Sequence, residues 1–368
     1  MALIFEMADD LGPEKVIHLC NLKAALKAIV VVDSTSIGSA IGGVRMALDA
    51  DLQECSRLAR AMSLKNAAAG LPHGGGKSVI IADPAMPARD KESLIRAFAQ
   101  GISQISDYIP GPDMGTDETC MAWVRDEIQR VVGLPRVLGG IPLDEIGATG
   151  YGVAVATRVA QEFGIIEIEG ARVAIQGYGA VGRHAARFLA DAGARIVAVA
   201  DSSGTASDPK GFDLPRLDAL KADGFSVTDY PDAAINDKDA VIAANCDILI
   251  PAARPDVINV SNVAAIKASL IVEGANIPTT DEAAIELHAR NVVVIPDFIA
   301  NAGGVICASV EYHGGTETQA MTMIAEKIRH NTREVLQRVH LENKPPRVAA
   351  NALAQERLNQ AMALRRVF

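Results

Sequence analysis

"RVAIQGYGAVGRHAARFLADAGARIVAVAD", residues 172–201, is the stretch whose reading decides the fold. It opens on a β-branched, apolar run (172–177), turns on glycines, continues as a helical pattern near 180–192 and closes on a second apolar run, 195–201. Glycines 177, 179 and 182 have the G-x-G-x-x-G spacing, and Asp201 follows Gly182 by 19 residues at the end of the second strand. The glycines alone are a weak signal, because glycines gather at many turns. Between a strand and a helix, with an acid at that distance, they have the form of a dinucleotide-binding βαβ unit. Gly177 is expected to permit the tight turn, Gly179 to let a pyrophosphate approach the backbone, and Gly182 to let helix and strand pack closely. Ala180 and Val181 open the helix whose N-terminus attracts the anion. Asp201 would accept from ribose hydroxyls and repel a 2′-phosphate, so NAD is expected rather than NADP. The bland alternative is an α/β turn with no ligand.

Outward from this unit, further strands are expected at 247–252, 269–275 and 291–297, and helices from 317 on. Strands alternating with helices predict a parallel, doubly wound, Rossmann-like sheet. On the N-terminal side, Leu52, Cys55, Leu58, Met62, Lys65 and Ala69 recur at helical steps, which predicts a helix over 51–69. A glycine loop, a strand at 78–83, a helix at 90–105 and a Gly/Pro-rich loop at 108–118 follow, with Thr116 or Asp117 able to cap the next helix. The stretch 133–150 reads as a linker. The expected division is therefore 1–142, an α/β domain; 143–316, the dinucleotide-binding domain; and 317–368, helices packing back toward the first domain.

Composition narrows the function classes. A net charge of −10 argues against a nucleic-acid surface, and no apolar run is long enough to span a membrane. The start, "MALIFEMADD", has no basic region or cleavage site of a signal peptide. Five scattered cysteines fit a reducing compartment, and no pair has metal-site spacing, so a soluble, cytoplasmic globular protein without a metal is expected.

"LPHGGGKS" (71–78) resembles a phosphate loop but lacks its spacing. The first glycine of a Walker A loop would fall on Leu71, and here a strand follows the lysine where a P-loop opens a helix. Three polar residues of this half have bland readings: Lys65 as a snorkelling helix lysine, Lys77 as an exposed turn lysine, Asp113 as a turn aspartate. Together they form a coherent constellation, in which one lysine binds a carboxylate, a second acts as general base and the aspartate moves protons.

The chain resembles the glutamate/leucine/phenylalanine/valine dehydrogenase family. The resemblance covers nearly all of it and rests on "GGVRM" (42–46), "SLKNAAAGLPHGGGKSVIIADP" (63–84), "GPDMGT" (111–116), "ATGYGV" (148–153), "GYGAVG" (177–182), "EGANIPTT" (273–280) and "PDFIANAGGV" (296–305). It implies NAD-dependent, reversible oxidative deamination of an L-amino acid to a 2-oxo acid and ammonia. It implies Lys77 and Asp113 as catalytic residues and Lys65 as the ligand of the substrate α-carboxylate. Gly42, Gly43, Gly111 and Val305 are implied in the substrate pocket, Thr149 and Asn276 at the nicotinamide end, and Asn301 near both substrate and cofactor. It also implies a homo-oligomer assembled through the N-terminal, substrate-binding domain.

Glutamate-specific relatives place a lysine before "GG-x-R" and a serine three residues after "NAGGV", both for the distal carboxylate. This chain has Ile41 and Ala308 there. A buried carboxylate without partners is costly, so an apolar substrate is expected. "EIGATGYGV" and "EGANIPTT" nevertheless look more like glutamate dehydrogenases. Two alternatives stay open: a reductase of another imine or amine on the same scaffold, and a glutamate dehydrogenase with a rearranged distal pocket.

Overall fold

The computed structural model describes residues 7–365. The chain divides into two compact units. The first comprises residues up to Pro142, Val305–Ala320 and those from Ala352; the second comprises Leu143–Gly304 and Met321–Asn351. The later unit boundaries fall inside the last three helices.

In the first unit the elements are β1 (Lys15–Asn21), β2 (Leu26–Ser34), β3 (Ala40–Ala47), α1 (Leu52–Ala68), β4 (Gly74–Ile81), α2 (Ala88–Gly101), β5 (Tyr108–Pro112) and α3 (Glu118–Ile128). The sheet runs β1-β2-β4-β3-β5, antiparallel at β1/β2 and β2/β4, parallel at β4/β3 and β3/β5. Alternation along β2 supplies both faces. Ala28, Val30 and Val32 pack in a core with Ile95, Phe98 and Ile102 and with Met121 and Val124 of α3. Ile29 and Val31 pack in a second cluster with Cys55 and Ala59 of α1. A sheet covered on both faces accounts for the unbroken apolar run of β2.

Two sequence expectations change here. The sequence predicts a loop at glycines 74–76; they are the start of β4. A Cβ on Gly74 would lie 1.8 Å from Ser34 O, on Gly75 2.0 Å from Ser63 N of α1, and on Gly76 2.9 Å from the Tyr108 ring. Glycine here permits close approach of neighbouring backbone within a strand. The loop expected over 108–118 likewise begins with a strand, β5, whose prolines are tolerated because β5 is at the sheet edge. Asp117 does cap α3, accepting from Cys120 N at 2.9 Å.

The second unit contains α4 (Ala148–Glu162), β6 (Arg172–Gln176), α5 (Ala180–Ala190), β7 (Arg195–Ala200), β8 (Thr205–Ser207), α6 (Leu214–Ala222), β9 (Ala234–Asn236), β10 (Ile248–Pro251), β11 (Leu270–Val272), α7 (Asp281–Ala289), β12 (Val293–Ile295) and α8 (Asp297–Ala300). The helices α9 (Gly303–Tyr312), α10 (Glu317–Glu342) and α11 (Pro346–Ala363) complete the chain. The sheet order is β12-β11-β10-β6-β7-β8-β9. The first five strands are mutually parallel, and the short β8 and β9 add on antiparallel. The five parallel strands match the expected ones; β8 and β9 carry too few residues to show a pattern of their own. Small residues bring α4 against α5, where a Cβ on Gly150 would lie 2.6 Å from Ala185 N. Among the described residues no helix is long and apolar enough to cross a membrane.

Candidate functional site

On the first unit, β4 presents alternate residues to opposite faces. Ser78 is fully buried beside Tyr108, with the two hydroxyls 2.9 Å apart and Tyr108 Oη donating to Gly42 O at 3.1 Å. Lys77 points the other way and pairs with Asp113 Oδ2. The two residues that imitate a phosphate loop thus lie on opposite sides of a sheet. Lys77 is 7% exposed, so the exposed-turn reading of it fails. Asp113 follows β5, where its N–H donates to Thr116 Oγ1 at 3.0 Å, and Thr116 Oγ1 donates to Val44 O at 2.7 Å. Gly43 leaves room for the pair: a Cβ there would lie 2.8 Å from Asp113 Cβ and 3.2 Å from Lys77 Nζ. Gly42 is equally constrained, since its Cβ would meet Gly76 O at 1.7 Å.

A third charge, not assigned from the sequence, completes this cluster. Arg45 Nε donates to the same Asp113 Oδ2 at 3.3 Å, and its Nη1 pairs with Glu54 of α1. Burial pushes the Asp113 carboxyl up, but Lys77 and then Arg45 hold it net below the ordinary carboxylate range. Lys65 is half-buried in the last turn of α1. That helix end is tied to the start of β4 by Asn66 Nδ2, which donates to Gly74 O at 2.7 Å.

Ile41 of β3, 3% exposed, forms an apolar cluster with Ile109 and Val132, against which Met62 and Ala308 pack. Gly111 borders it, because a Cβ there would lie 3.0 Å from Val132 Cγ2. Val305 is half-buried one turn before Ala308 on α9. Two polar residues of this unit bring no free positive charge. Arg45 is committed as above. His73 is buried, its Nε2 is 3.1 Å from Ser309 Oγ, and burial lowers its pKa, which keeps the ring neutral.

On the second unit the glycine turn fits a dinucleotide phosphate. Gly177 has φ +99°, and a Cβ there would strike Ala253 at 2.5 Å. Gly182 would meet Gly177 O at 2.0 Å and Ile175 Cγ2 at 2.9 Å, which is the close helix–strand contact. Gly179 alone of the three opens on free space, with nothing within 4 Å of its Cβ position. It is the N-cap of α5 with no side-chain cap, so the amides around Ala180 and Val181 carry the helix-terminal positive potential toward that space.

Asp201 departs from expectation. Its Oδ1 accepts from Ser203 N and Ser226 Oγ, both at 2.9 Å, and its Oδ2 from Lys221 Nζ at 2.8 Å and Val227 N at 2.9 Å. A carboxylate has about four acceptor sites, and all are taken by the chain itself. Burial raises its pKa, but Lys221 and these donors outweigh burial and lower it to about 2. The expected ribose acceptor is thus an anchor of the segment after α6, and Lys221 offsets the charge expected to repel a 2′-phosphate.

Asn301, buried at the end of α8, donates from Nδ2 to Ala275 O (3.1 Å), Gly274 O (3.3 Å) and Asn276 Oδ1 (3.2 Å). Asn276 is exposed. Thr149, in the first turn of α4, lies beside Gly304, whose Cβ position is 3.5 Å from Thr149 Oγ1.

Five parallel strands, a glycine turn open to a phosphate, and a separate α/β unit carrying a buried lysine paired with a half-buried aspartate define a two-unit dehydrogenase. The chain belongs to the Glutamate/Leucine/Phenylalanine/Valine dehydrogenase family, whose model matches residues 139–366, while the family's dimerisation-domain model matches residues 20–130. It is an amino acid dehydrogenase. A glutamate dehydrogenase of Aeropyrum pernix is 40% identical over 355 residues, 90% of this chain and 85% of that protein. An NADP-specific glutamate dehydrogenase of Saccharolobus shibatae is 37% identical over 355 residues (90% and 83%). An NAD-specific one of Staphylococcus aureus is 38% identical over 290 residues (75% and 70%). The structure of the hetero-hexameric glutamate dehydrogenase of Thermus thermophilus, in a leucine-bound form, superposes with a TM-score of 0.84 at 28% identity, covering 97% of this chain and 91% of that one.

Proposed function

We propose that this NAD-dependent amino acid dehydrogenase catalyses the reversible oxidative deamination of an L-amino acid with an apolar side chain. The observation that carries the side-chain reading is that Ile41 and Ala308 meet in one apolar cluster with Ile109, Val132 and Met62. Neither Arg45 nor His73 offers a free positive charge to a distal carboxylate in their place, since Arg45 is paired and His73 is neutral.

The Gly177–Gly182 turn would hold NAD, bordered by Thr149, Asn276 and Asn301, and the bound coenzyme would supply the hydride acceptor for the substrate Cα. The protein's own residues do the rest. Lys65 holds the α-carboxylate and so fixes which face of Cα is presented. Lys77 Nζ, once neutral, takes a proton from the water that adds to the imine carbon, and the C–N bond then breaks to release ammonia. Asp113 carries protons to and from the amino nitrogen. Lys77 and Arg45 on Asp113 Oδ2 hold its pKa below the ordinary carboxylate range and so keep it ionised at rest. The segment matched by the dimerisation-domain model is the surface through which we expect a homo-oligomer to assemble.

The second reading is glutamate as substrate, favoured by the names of the relatives above. A panel of L-amino acids with NAD, followed at 340 nm, separates the two. Leucine, valine or phenylalanine should exceed glutamate in kcat/KM by roughly a hundredfold, the scale of a buried unpaired carboxylate. Glutamate as the best substrate would refute the pocket reading.

A further inference from the structure

At the carboxyl ends of the parallel strands of the second unit, four segments meet: the turn after β6, Ala252–Ala253 after β10, Glu273–Ile277 after β11 and Asp297 after β12. A Cβ on Gly274 would lie 3.0 Å from Val181 Cγ1 in the glycine turn and 3.2 Å from Ala252 Cβ. In open α/β sheets ligands bind outside these strand ends, so 274–277 borders the coenzyme crevice. The segment is strained. Ile277 has φ +47°, a left-handed conformation that a β-branched residue rarely adopts.

What holds it is a buried charge cluster that the catalytic scheme does not use. Ile277 N–H donates to Asp297 Oδ2 at 2.8 Å. Arg347 Nη2, from the first turn of α11, donates to Asp297 Oδ1 at 2.7 Å and to Glu273 Oε2 at 2.6 Å. Asp297 N–H also donates to Glu273 Oε2, at 2.9 Å, and the guanidinium lies 5.8 Å from the Phe298 ring centre. Glu273 is fully buried, and its Oε1 has no hydrogen-bond partner among the described residues. Burial drives its pKa up to about 7 even though Arg347 opposes that shift. Two buried carboxylates around one cation are a weak way to build stability, and here they converge on the backbone of one strained segment beside the glycine turn.

We propose that Arg347, bridging Glu273 and Asp297, is a positioning residue for the coenzyme: it fixes Asp297, which pins Ile277 N–H and so presents Asn276 to the nicotinamide half of NAD. This rests on the reading of the second unit as the NAD site.

The test is NADH affinity by fluorescence titration, alongside kcat, the KM of the amino acid at saturating coenzyme, and thermal melting. Arg347→Met should raise the NADH Kd at least tenfold and lower kcat, with the amino acid KM within twofold. Arg347→Lys, which keeps one charge in reach, should recover the Kd to within threefold. A folded Arg347→Met variant whose NADH Kd stays within twofold, whatever its melting temperature, overturns the proposal. Should that variant not fold, Glu273→Gln with Arg347→Met removes the cation together with the carboxylate it bridges and is read by the same criteria. Gly179→Val is the control: if it leaves NADH binding intact, the coenzyme reading fails and this inference with it. If it abolishes binding while Arg347→Met changes nothing, only the inference fails.

Discussion

Replacing Ile41 by Lys together with Ala308 by Ser tests the substrate pocket at its base. Ile41 is 3% exposed among Ile109, Val132 and Met62, so an ammonium at position 41 enters a cluster built of apolar side chains. Without ligand the double variant should lose about 2–4 kcal/mol of stability, the scale of an uncompensated buried charge. A distal carboxylate supplies the missing partner, and the introduced serine hydroxyl adds a donor. Each 1.4 kcal/mol recovered is about tenfold in specificity, so the ratio of kcat/KM for glutamate over leucine should rise by roughly a hundredfold or more. The assay is coenzyme reduction at 340 nm with both amino acids, paired with thermal melting with and without 2-oxoglutarate. The dicarboxylate should raise the variant's Tm more than that of the unmodified enzyme, because a ligand that binds only the folded state stabilises it. A folded double variant whose glutamate-to-leucine ratio stays within threefold of the starting enzyme would refute the assignment of Ile41 and Ala308 to the distal pocket.

Lys77→Ala should leave the NADH Kd within twofold while turnover falls by roughly two to four orders of magnitude, the usual scale for a general base; a variant keeping a tenth of the activity would remove Lys77 from that role. Glu273 has a folded pKa of about 7 against an ordinary 4.5, so the native state keeps a proton that the unfolded chain releases. Stability from this group is present at low pH and is lost as pH rises from the ordinary carboxylate value through the raised one. Glu273→Gln should therefore gain stability relative to the unmodified enzyme as pH rises from about 5 to about 8 in calorimetric melts, and a difference that does not change with pH would contradict this. Asp201→Ala should cost about 2–4 kcal/mol by stranding Lys221 and the Val227 N–H, and should shift the NAD-to-NADP preference less than threefold. A tenfold narrowing without loss of stability would return Asp201 to the ribose.

What the sequence by itself determined lies where cause and effect are close along the chain. The strand–glycine–helix–strand unit of 172–201, the helix over 52–68 and the Asp117 cap are set by backbone preference and periodicity within a few turns, and both can be read locally. Lys65, Lys77, Asp113, Ile41 and Ala308 are reached through motifs whose spacing the chain preserves. What only the tertiary structure decided has its cause far away in sequence. Glycines 74–76 signal a turn to a local reading, yet they pair with β2 and β3 as a strand, and they must be glycine there because Ser34, Ser63 and Tyr108 leave no room for a Cβ. Arg45 joins the Lys77–Asp113 pair because parallel strands β3 and β5 set Gly43 opposite Gly111, two residues before Arg45 and Asp113 respectively. Asp201 looks available to a ribose until Lys221, Ser226 and Val227 fill its oxygens. Glu273, Asp297 and Arg347 span 74 residues, and each alone reads as an ordinary charge. Periodicity and spacing record which conformations a residue prefers; which lone pair is already occupied, and which backbone leaves no space for a side chain, is decided only when distant segments pack.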